Sequence, residues 1–371
     1  MIAMYGLSDN NGGVEKSAFR IINNTDERFA IIIREEYAKA EYLKNSLAEV
    51  IPVSIQPGMI GYLTSFKTFY KLFKNRPDIT ILHYHFMSYY SLQILVAAWI
   101  RRVPKRILHI RGSGFTTKSI KGELIHLINK PVAHLLATDF LACSELAAKF
   151  AYYKRIRKQK CKVIYNGVEL EKYADNCDRN NIRMQYGLSQ KIVYGHVGAM
   201  LPVKNHEYLI NLFSQIHKKQ PNSMLLLVGD GPLHSKITEQ IKQMGLQESV
   251  ILTGNLKNTF KIYQAMDVLL LPSYNEGLPN VVIEAQANGL PCFVSDRVTK
   301  EVAVTDLVHW ISLSDTVEIT AEVIVNSIIE EKKPRFNELK KAGFHIEDTV
   351  KLIQKVYHKG ENKSFRNKID Y

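Results

Sequence analysis

Short apolar runs alternate with helical patterns along the whole chain, and this alternation is the strongest constraint on its fold. In the first half, the runs that predict strands span residues 1–5, 29–33, 79–83, 106–110, 139–142 and 162–165. In the second half, they span residues 192–197, 224–228, 250–253, 268–271 and 292–294. Strands separated by helices form parallel, doubly wound sheets. We therefore predict an α/β fold of two Rossmann-like domains facing a central cleft, where the carboxyl ends of the strands converge.

A chain of 371 residues is longer than a single hydrophobic core usually serves. We predict a first domain over residues 1–165 and a second domain over residues 166–345. A final helix and a polar tail are expected over residues 346–371. The polar stretch 169–183 is the expected linker between the two domains.

One stretch of the second domain carries two glutamates, Glu276 and Glu284, with seven residues between them. A helix is expected to begin right after Glu276, because Pro279 suits a first helical turn and Gly289 suits a helix end. The first N–H groups of a helix lack partners inside it and form a site for a phosphate. The two carboxylates can accept hydrogen bonds from hydroxyl groups. A ligand that offers phosphate and two rings with hydroxyl groups is a nucleotide sugar.

This stretch resembles the Glu-x7-Glu signature of retaining glycosyltransferases with the GT-B fold, in particular family 4, the glycosyl transferases group 1. The resemblance implies that Glu276 contacts hydroxyls of the donor sugar and that Glu284 holds the ribose. It also implies that the backbone of Gly277, Leu278 and Pro279 meets the diphosphate. Members of this family build bacterial capsules, exopolysaccharides and the O-antigens of lipopolysaccharide.

Further motifs follow in the order that the family shows. The run Asn11-Gly12-Gly13 after the first strand resembles the turn where Gly12 and Gly13 let the backbone approach the donor phosphates. Asn166-Gly167-Val168 is similar to the tripeptide that opens the interdomain linker. Lys204 matches the lysine that binds phosphate, and the turn at Asn255 and Leu256 matches the one that covers the nucleobase.

One cation of the family pattern is missing. Relatives usually carry an arginine five residues before the lysine, and Ala199 stands there in this chain. Two substitutes are open, since the segment His109-Ile110-Arg111 ends a predicted strand where relatives often place a histidine near the donor sugar. Either His109 is that histidine, or Arg111 replaces it and supplies the charge; alternatively, Arg111 is a plain surface residue. The candidate catalytic residues are therefore Glu276, Lys204, Arg111 and His109.

The net charge of +13 lies entirely in the first half. Residues 1–165 hold 25 Lys and Arg against 12 Asp and Glu, whereas residues 166–371 hold 24 against 24. Such polarity predicts an anionic partner of the first domain. Nucleic acid is disfavoured because the basic stretches lack a recognisable helix-turn-helix, zinc or RNA-binding motif. The remaining candidates for the anionic partner are a membrane surface and a lipid-linked acceptor.

One basic helix is predicted between residues 62 and 73, with lysines on one face and aromatic rings on another. The lysines are Lys67, Lys71 and Lys74, and the rings belong to Tyr62, Phe66, Phe69 and Phe73. The pattern is typical of a helix lying on an anionic membrane. It is equally typical of a surface helix whose aromatic face packs into the core.

No metal or cofactor is expected. Cys143, Cys161, Cys177 and Cys292 lack metal-ligand spacing, and His83 and His85 have no third ligand near them in sequence. We find neither an apolar run long enough to span a membrane nor a signal peptide. The sequence thus predicts a cytoplasmic protein, peripheral on the inner face of the cell membrane.

Together these features predict metal-independent, retaining transfer of a sugar from a nucleotide sugar, with UDP-sugar favoured, to a growing lipid-linked glycan. The first domain would bind the acceptor and the second would bind the donor. Three alternatives stay open at this point: a transferase acting on a soluble acceptor, a nucleotide-sugar epimerase, and a non-catalytic carbohydrate-binding protein.

Overall fold

Two units, each built on its own parallel sheet, make up the chain. The computed structural model describes residues 1–9, 12–44, 46–55, 58–115, 119–174, 178–256, 258–327 and 332–359. The first unit comprises residues 1–167 and the C-terminal segment that begins at Ile346, and the second comprises residues 168–345. The second unit is thus inserted into the first along the chain.

The first unit alternates strands and helices as the sequence predicts. Its elements are β1 (Ile2–Tyr5), α1 (Gly13–Asn23), β2 (Phe29–Arg34), β3 (Glu49–Val53), α2 (Gly58–Asn75), β4 (Ile81–Phe86), α3 (Gln93–Ile100), β5 (Lys105–Ile110), α4 (Ile120–Leu136), β6 (Asp139–Ala142), α5 (Glu145–Ala151), α6 (Lys154–Gln159) and β7 (Cys161–Val163). They form a parallel sheet of seven strands in the order β3-β2-β1-β4-β5-β6-β7.

The second unit repeats the architecture. Its elements are α7 (Leu170–Ala174), α8 (Arg179–Gln185), β8 (Ile192–Val197), α9 (His206–Lys219), β9 (Ser223–Val228), α10 (His234–Gln243), β10 (Val250–Leu252), α11 (Ile262–Ala265), β11 (Val268–Leu271), α12 (Asn280–Ala287), β12 (Cys292–Ser295), β13 (Val308–Ile311), α13 (Val317–Asn326) and α14 (Phe336–Lys341). Six parallel strands follow the order β10-β9-β8-β11-β12-β13.

A last helix, α15 (Ile346–Tyr357), returns to the first unit and packs near α1. Its Ile353 and Tyr357 join the core that Ile2, Met4 and Ile31 form on one face of the sheet. Each fully buried aliphatic side chain of this kind stabilises the fold by about 1.5–3 kcal/mol. The expected polar tail from residue 360 onward lies outside the described residues.

Burial on both faces explains why the central strands read as continuous apolar runs. Residues of β4 are buried at every position, and so are those of β11. The two strands absent from the prediction, β3 and β13, are edge strands of their sheets. Their burial is patchy, and β3 contains a proline, Pro52, as edge strands tolerate.

Two sequence predictions need correction. The polar stretch 169–183 is not a plain linker, because it contains α7 and the start of α8, whose Leu170, Tyr173 and Ile182 are buried. Residues 175–177 within it lie outside the described part. The helix expected right after Glu276 begins at Asn280, with Pro279 as its capping residue rather than in its first turn.

The aromatic face of α2 belongs to the core of the first unit. Phe69 and Phe73 are 1% and 3% exposed, and the ring of Phe69 lies 5.4 Å from that of Tyr5. Tyr62 is exposed, and so are the three lysines Lys67, Lys71 and Lys74. The structure therefore favours the surface-helix interpretation over an aromatic face lying in a membrane. Among the described residues, no helix has the length and apolar character needed to span a bilayer.

Candidate functional site

The strand order of the second unit reverses direction between β8 and β11. In doubly wound sheets, ligands bind outside the carboxyl ends of the strands at such a switch point. The loop after β8 carries Ala199 and Lys204, and the loop after β11 carries Glu276. The two charged residues singled out in the second half of the sequence thus follow neighbouring strands at this position.

Direct hydrogen bonds tie these two loops together. Asn205 takes the left-handed conformation, with φ of 57°, and its side-chain amide donates to the Pro272 carbonyl at 3.2 Å. The backbone N–H of Tyr274 donates to the Val203 carbonyl at 2.9 Å. Asparagine tolerates the left-handed region better than most residues. The tie fixes the short helical turn that ends at Lys204.

Lys204 and Glu276 form an ion pair at the switch point. The Lys204 Nζ donates to Glu276 Oε1 at 2.6 Å, and the Ser273 hydroxyl donates to the same oxygen at 3.1 Å. The two charged side chains are 15% and 16% exposed. The family resemblance gave these residues separate roles on phosphate and sugar, and it did not predict that they contact each other.

The lysine stem lies over a glycine. A Cβ on Gly198 would come within 3.2 Å of Lys204 Cε, so a side chain there would displace the lysine. Ala199, where relatives carry an arginine, is exposed on the same loop. Lys204 is therefore the positively charged residue of this loop, and position 199 contributes no charge.

Glu284 lies one turn inside α12 and is 3% exposed. The hydroxyl of the fully buried Tyr263 donates to its carboxylate at 2.7 Å. Burial, together with the Glu284 charge, raises the pKa of Tyr263 well above its ordinary value, so the hydroxyl stays protonated and can donate. Tyr263 thereby positions Glu284, whose contact with a ribose stays a prediction.

The backbone ahead of α12 is buried. Gly277, Leu278 and Pro279 lead into the helix, whose first N–H groups lack helical partners. A phosphate would suit that end of the helix, because the helix dipole is positive there. The contact of these three residues with a diphosphate stays a prediction.

Two more loops, after β9 and β10, meet the β8 loop at the same edge of the sheet. The N–H of Gly229 donates to the Gly254 carbonyl at 2.9 Å, and Met200 donates to the Asp230 carbonyl at 2.9 Å. Gly229 has a φ of 131°, and a Cβ there would lie 2.2 Å from the Gly198 carbonyl oxygen. Only glycine fits. Asn255 and Leu256 follow Gly254 on this edge, and their contact with a nucleobase stays a prediction.

In the first unit, Arg111 is buried just beyond the end of β5. Its Nε donates to His85 Nδ1 at 3.0 Å, and one terminal nitrogen donates to Asn166 Oδ1 at 2.5 Å. The other terminal nitrogen has no partner among the described residues. Burial lowers the pKa of Arg111 to about 10, which keeps it charged at neutral pH. Arg111 is therefore not a plain surface residue.

His109 lies inside β5 and stacks on His83, with ring centroids 5.2 Å apart. His83 Nε2 and His109 Nδ1 are 3.0 Å apart, and His83 Nδ1 contacts the Tyr357 hydroxyl at 2.7 Å. Burial holds the pKa of His83, His85 and His109 well below its ordinary value, and the Arg111 charge lowers each further. The three imidazoles are neutral at pH 7.

Nitrogens of these three histidines lie within 4.8 Å of one another, a spacing that a metal ion could use. At least one nitrogen of each histidine already serves a hydrogen bond, since Arg111 donates to His85 Nδ1 and His83 Nε2 pairs with His109 Nδ1. The Nε2 atoms of His85 and His109 are buried and have no partner among the described residues. Each of these bonds would have to break before the same nitrogen could ligate a metal. Metal independence stays a prediction.

At the start of α1, Gly12 is the capping residue and Gly13 the first helical residue. Asn11 lies outside the described residues. The carboxylate of Glu15 accepts hydrogen bonds from the N–H and hydroxyl of Ser8, both at 2.9 Å, and a Cβ on Gly12 would lie 3.0 Å from it. The Glu15 carboxylate therefore lies beside Gly12. The contact of Gly12 and Gly13 with the donor phosphates stays a prediction.

The sequence motifs do not predict several residues of the site. Asn166 belongs to the motif that opens the linker, yet it is buried and accepts hydrogen bonds from Arg111 and Ser17. His85 was visible only as half of an alternating histidine pair. Ser273 and Tyr263, which hold the two glutamates, carried no distinctive signal.

Known proteins that are similar to this chain are glycosyltransferases. Residues 178–344 match the family model described as glycosyl transferases group 1. The putative glycosyltransferase EpsF of Bacillus subtilis is 29% identical over 309 residues, which cover 81% of this chain and 80% of that protein. The UDP-Gal:alpha-D-GlcNAc-diphosphoundecaprenol alpha-1,3-galactosyltransferase of Escherichia coli is 29% identical over 297 residues, which cover 76% and 75%.

Solved structures share the fold. Anabaena HepE in complex with UDP superposes with a TM-score of 0.75 and 20% identity, over 96% of this chain and 99% of that one. WaaG, a glycosyltransferase involved in lipopolysaccharide biosynthesis, gives a TM-score of 0.68 and 13% identity over 94% of each chain.

Two parallel-sheet α/β units of this kind define the GT-B fold, and the protein is a glycosyltransferase. The match to the glycosyl transferases group 1 model spans residues 178–344, which are nearly all of the second unit.

Proposed function

We propose that this protein is a retaining glycosyltransferase that moves a sugar from a nucleotide sugar, with UDP-sugar favoured, to a lipid-linked glycan in the synthesis of a bacterial surface polysaccharide. The observation that carries the proposal is the Lys204–Glu276 pair at the switch point of the second unit. In this pair, the Lys204 ammonium would bind phosphate and the Glu276 carboxylate would bind sugar hydroxyls. Their Nζ and Oε1 atoms are 2.6 Å apart.

Transfer breaks the bond between the anomeric carbon and the diphosphate, so negative charge grows on the leaving group. Lys204 and the first N–H groups of α12 are preorganised donors for that charge, and such donors act most strongly where water is excluded. Glu276 would accept hydrogen bonds from the donor sugar and orient it. Glu284, held by Tyr263, would bind the ribose. These contacts would serve without a metal ion.

The nucleotide and the acceptor are supported by the comparisons. HepE is a structural neighbour seen with UDP, and the name of the Escherichia coli relative contains both a UDP-sugar and a diphosphoundecaprenol-linked sugar. The Staphylococcus aureus protein CapM, a capsular polysaccharide biosynthesis glycosyltransferase, is 29% identical over 71% of this chain. A lipid-linked acceptor would be met at the cytoplasmic face of the membrane.

The first unit has a groove at its own switch point, between the ends of β1 and β4, with a volume of about 270 Å³. Tyr5, Tyr84, Phe86 and Tyr90 line it together with His85. Apolar rings with a few polar groups are the usual lining of small-molecule sites. We infer that a sugar of the acceptor glycan binds in this groove.

Thermal unfolding with UDP, GDP and ADP tests the proposed donor. We expect UDP to raise the melting temperature most, since a ligand at a hundred times its Kd stabilises the folded state by about 2.7 kcal/mol. Stabilisation by GDP or ADP alone would reject UDP as the nucleotide. No stabilisation by any of the three would contradict the donor site itself.

The roles of Arg111 and His109 are separable by mutation. If Arg111 supplies the charge that relatives place at position 199, Arg111→Ala should lower kcat by roughly tenfold or more with little change in donor KM. Ala199→Arg in the same chain should restore part of the loss. The matched variant is His109→Gln, which should leave kcat within a few-fold. If His109→Gln gives the larger loss at equal melting temperature, the role belongs to His109.

A further inference from the structure

The outward side of α4 is apolar along its whole length. The residues on this side are Ile120, Leu124, Leu127, Ile128, Pro131 and Leu135, all exposed, with Ile120 at 88% and Leu135 at 82%. Their spacing of three and four residues places them on one stripe of an α-helix. We call these six residues the α4 stripe.

The inward side of α4 mixes polar and apolar residues. Its buried residues are His126, Ala133 and Leu136, and the half-buried Asn129 donates a hydrogen bond to the Tyr89 carbonyl at 2.7 Å. Surface helices of soluble proteins turn charged and polar residues toward water, and the outward stripe of α4 is apolar instead. A large contiguous apolar patch in water marks an interaction site.

A basic helix borders the α4 stripe. The ring of Tyr153, which directly precedes α6, lies 4.9 Å from that of His134 on α4, and Lys130 of α4 lies over the same tyrosine ring. The sequence of α6 is Lys-Arg-Ile-Arg-Lys-Gln, with four cations and no acid. Lys121 adds a cation on α4, where Glu123 is the one acidic residue.

We propose that α4 and α6 together form the surface by which this protein docks on an anionic lipid leaflet. An interfacial helix buries its apolar side at the boundary of headgroups and acyl chains, and nearby cations are attracted to anionic lipids. The stripe and α6 supply these two elements side by side. The inference rests on the proposed function in one respect, which is that a docked enzyme would meet its lipid-linked acceptor at the membrane.

Charge selects a lipid surface over a second copy of the chain. Two copies meeting through the α4 stripe around a two-fold axis would bring two basic α6 helices toward each other, and like charges at an interface are unfavourable. An anionic leaflet is complementary to both elements. The docking surface also differs from α2, whose aromatic rings Phe69 and Phe73 are used in the core.

Sedimentation of the full chain with vesicles tests the surface. We expect binding to vesicles that contain phosphatidylglycerol and at most weak binding to pure phosphatidylcholine. Leu124→Gln with Ile128→Gln should lower the partition coefficient by roughly tenfold or more, because apolar contact with the bilayer is lost. Both side chains are already exposed, so the melting temperature should hold.

The matched apolar control lies in the second unit. Ile319 and Val323 are each 54% exposed and stand four residues apart on α13, as Leu124 and Ile128 do on α4. Ile319→Gln with Val323→Gln should leave vesicle binding unchanged. An equal loss in both double variants would overturn the inference, since it would show that exposed apolar residues anywhere contribute alike.

A charge-reversed pair tests the basic part. Arg155→Glu with Lys158→Glu on α6 should release the protein from anionic vesicles, whereas Lys67→Glu with Lys71→Glu on α2 should release it far less. Release by the α2 variant alone would place the surface on α2 and overturn the inference. Equal binding of the unchanged protein to neutral and anionic vesicles would overturn the inference that the lipid surface is anionic.

Two further readouts separate the other outcomes. If light scattering shows a dimer that Leu124→Gln with Ile128→Gln dissociates, and vesicles do not bind, then the stripe is an interface between copies and the inference is wrong. UDP stabilisation should be the same in every variant, because the donor site lies in the second unit. Loss of UDP stabilisation in the unchanged protein would reject the proposed donor while leaving the vesicle result intact.

Discussion

Glu276→Gln should lower the turnover of sugar transfer by roughly a hundredfold or more while the protein keeps its melting temperature. The glutamine is nearly isosteric, but it removes the anionic acceptor that we place against the donor-sugar hydroxyls. It also removes the charge that pairs with Lys204 at 2.6 Å. Transfer from UDP-sugar at saturating donor measures the effect on turnover.

The same substitution should leave UDP affinity unchanged or raise it by a few-fold. In the native pair, the Glu276 carboxylate competes with the diphosphate for the Lys204 ammonium, and its removal leaves that cation to the ligand. Isothermal titration with UDP measures this directly. A variant that loses turnover and UDP affinity alike would show that Glu276 shapes the nucleotide site rather than the sugar site.

The control for this substitution is Glu207→Gln. Glu207 pairs with Lys236 at 2.8 Å in the same unit, and both side chains are mostly exposed. Exposed pairs of this kind contribute little, about 0–1 kcal/mol. Turnover should therefore stay near normal in Glu207→Gln. Near-normal turnover in Glu276→Gln would remove the proposed role of Glu276.

Much of the fold was predictable because its central strands are buried on both faces. Such strands lose the polar alternation of a half-exposed strand and appear in the sequence as apolar runs, as β4 and β11 do. The edge strands β3 and β13 lack that signal, since water reaches part of them. The linker prediction failed because a short amphipathic helix such as α8 contributes few buried residues to an otherwise polar stretch.

The sequence predicts those site residues that lie together in one motif on one loop. It does not predict contacts between residues on different loops. Lys204 and Glu276 are 72 residues apart in sequence, and nothing in either motif requires their contact. The Arg111 contacts are of the same kind, since Asn166 lies 55 residues from it. Such contacts follow from the strand order, which brings the carboxyl ends of distant strands together.

The Lys204–Glu276 contact leads to a second prediction, on the nucleotide alone. Lys204→Ala should weaken UDP binding by roughly tenfold or more, because it removes a charge-assisted contact worth about 1.5–3 kcal/mol. The loss has a second source. Without Lys204, the partly buried Glu276 carboxylate has lost its cation and would face the diphosphate as a like charge.

The double variant Lys204→Ala with Glu276→Gln distinguishes these two sources. If part of the loss is repulsion from Glu276, Glu276→Gln should raise UDP affinity more in the Lys204→Ala background than in the unchanged protein. An equal effect in both backgrounds would show that the two residues act independently on the nucleotide. Lys236→Ala, which breaks the exposed pair of the same unit, should leave UDP affinity unaltered. Undiminished UDP affinity in Lys204→Ala would remove the phosphate contact from the proposal, because no other described feature of that loop supplies a cation at the switch point.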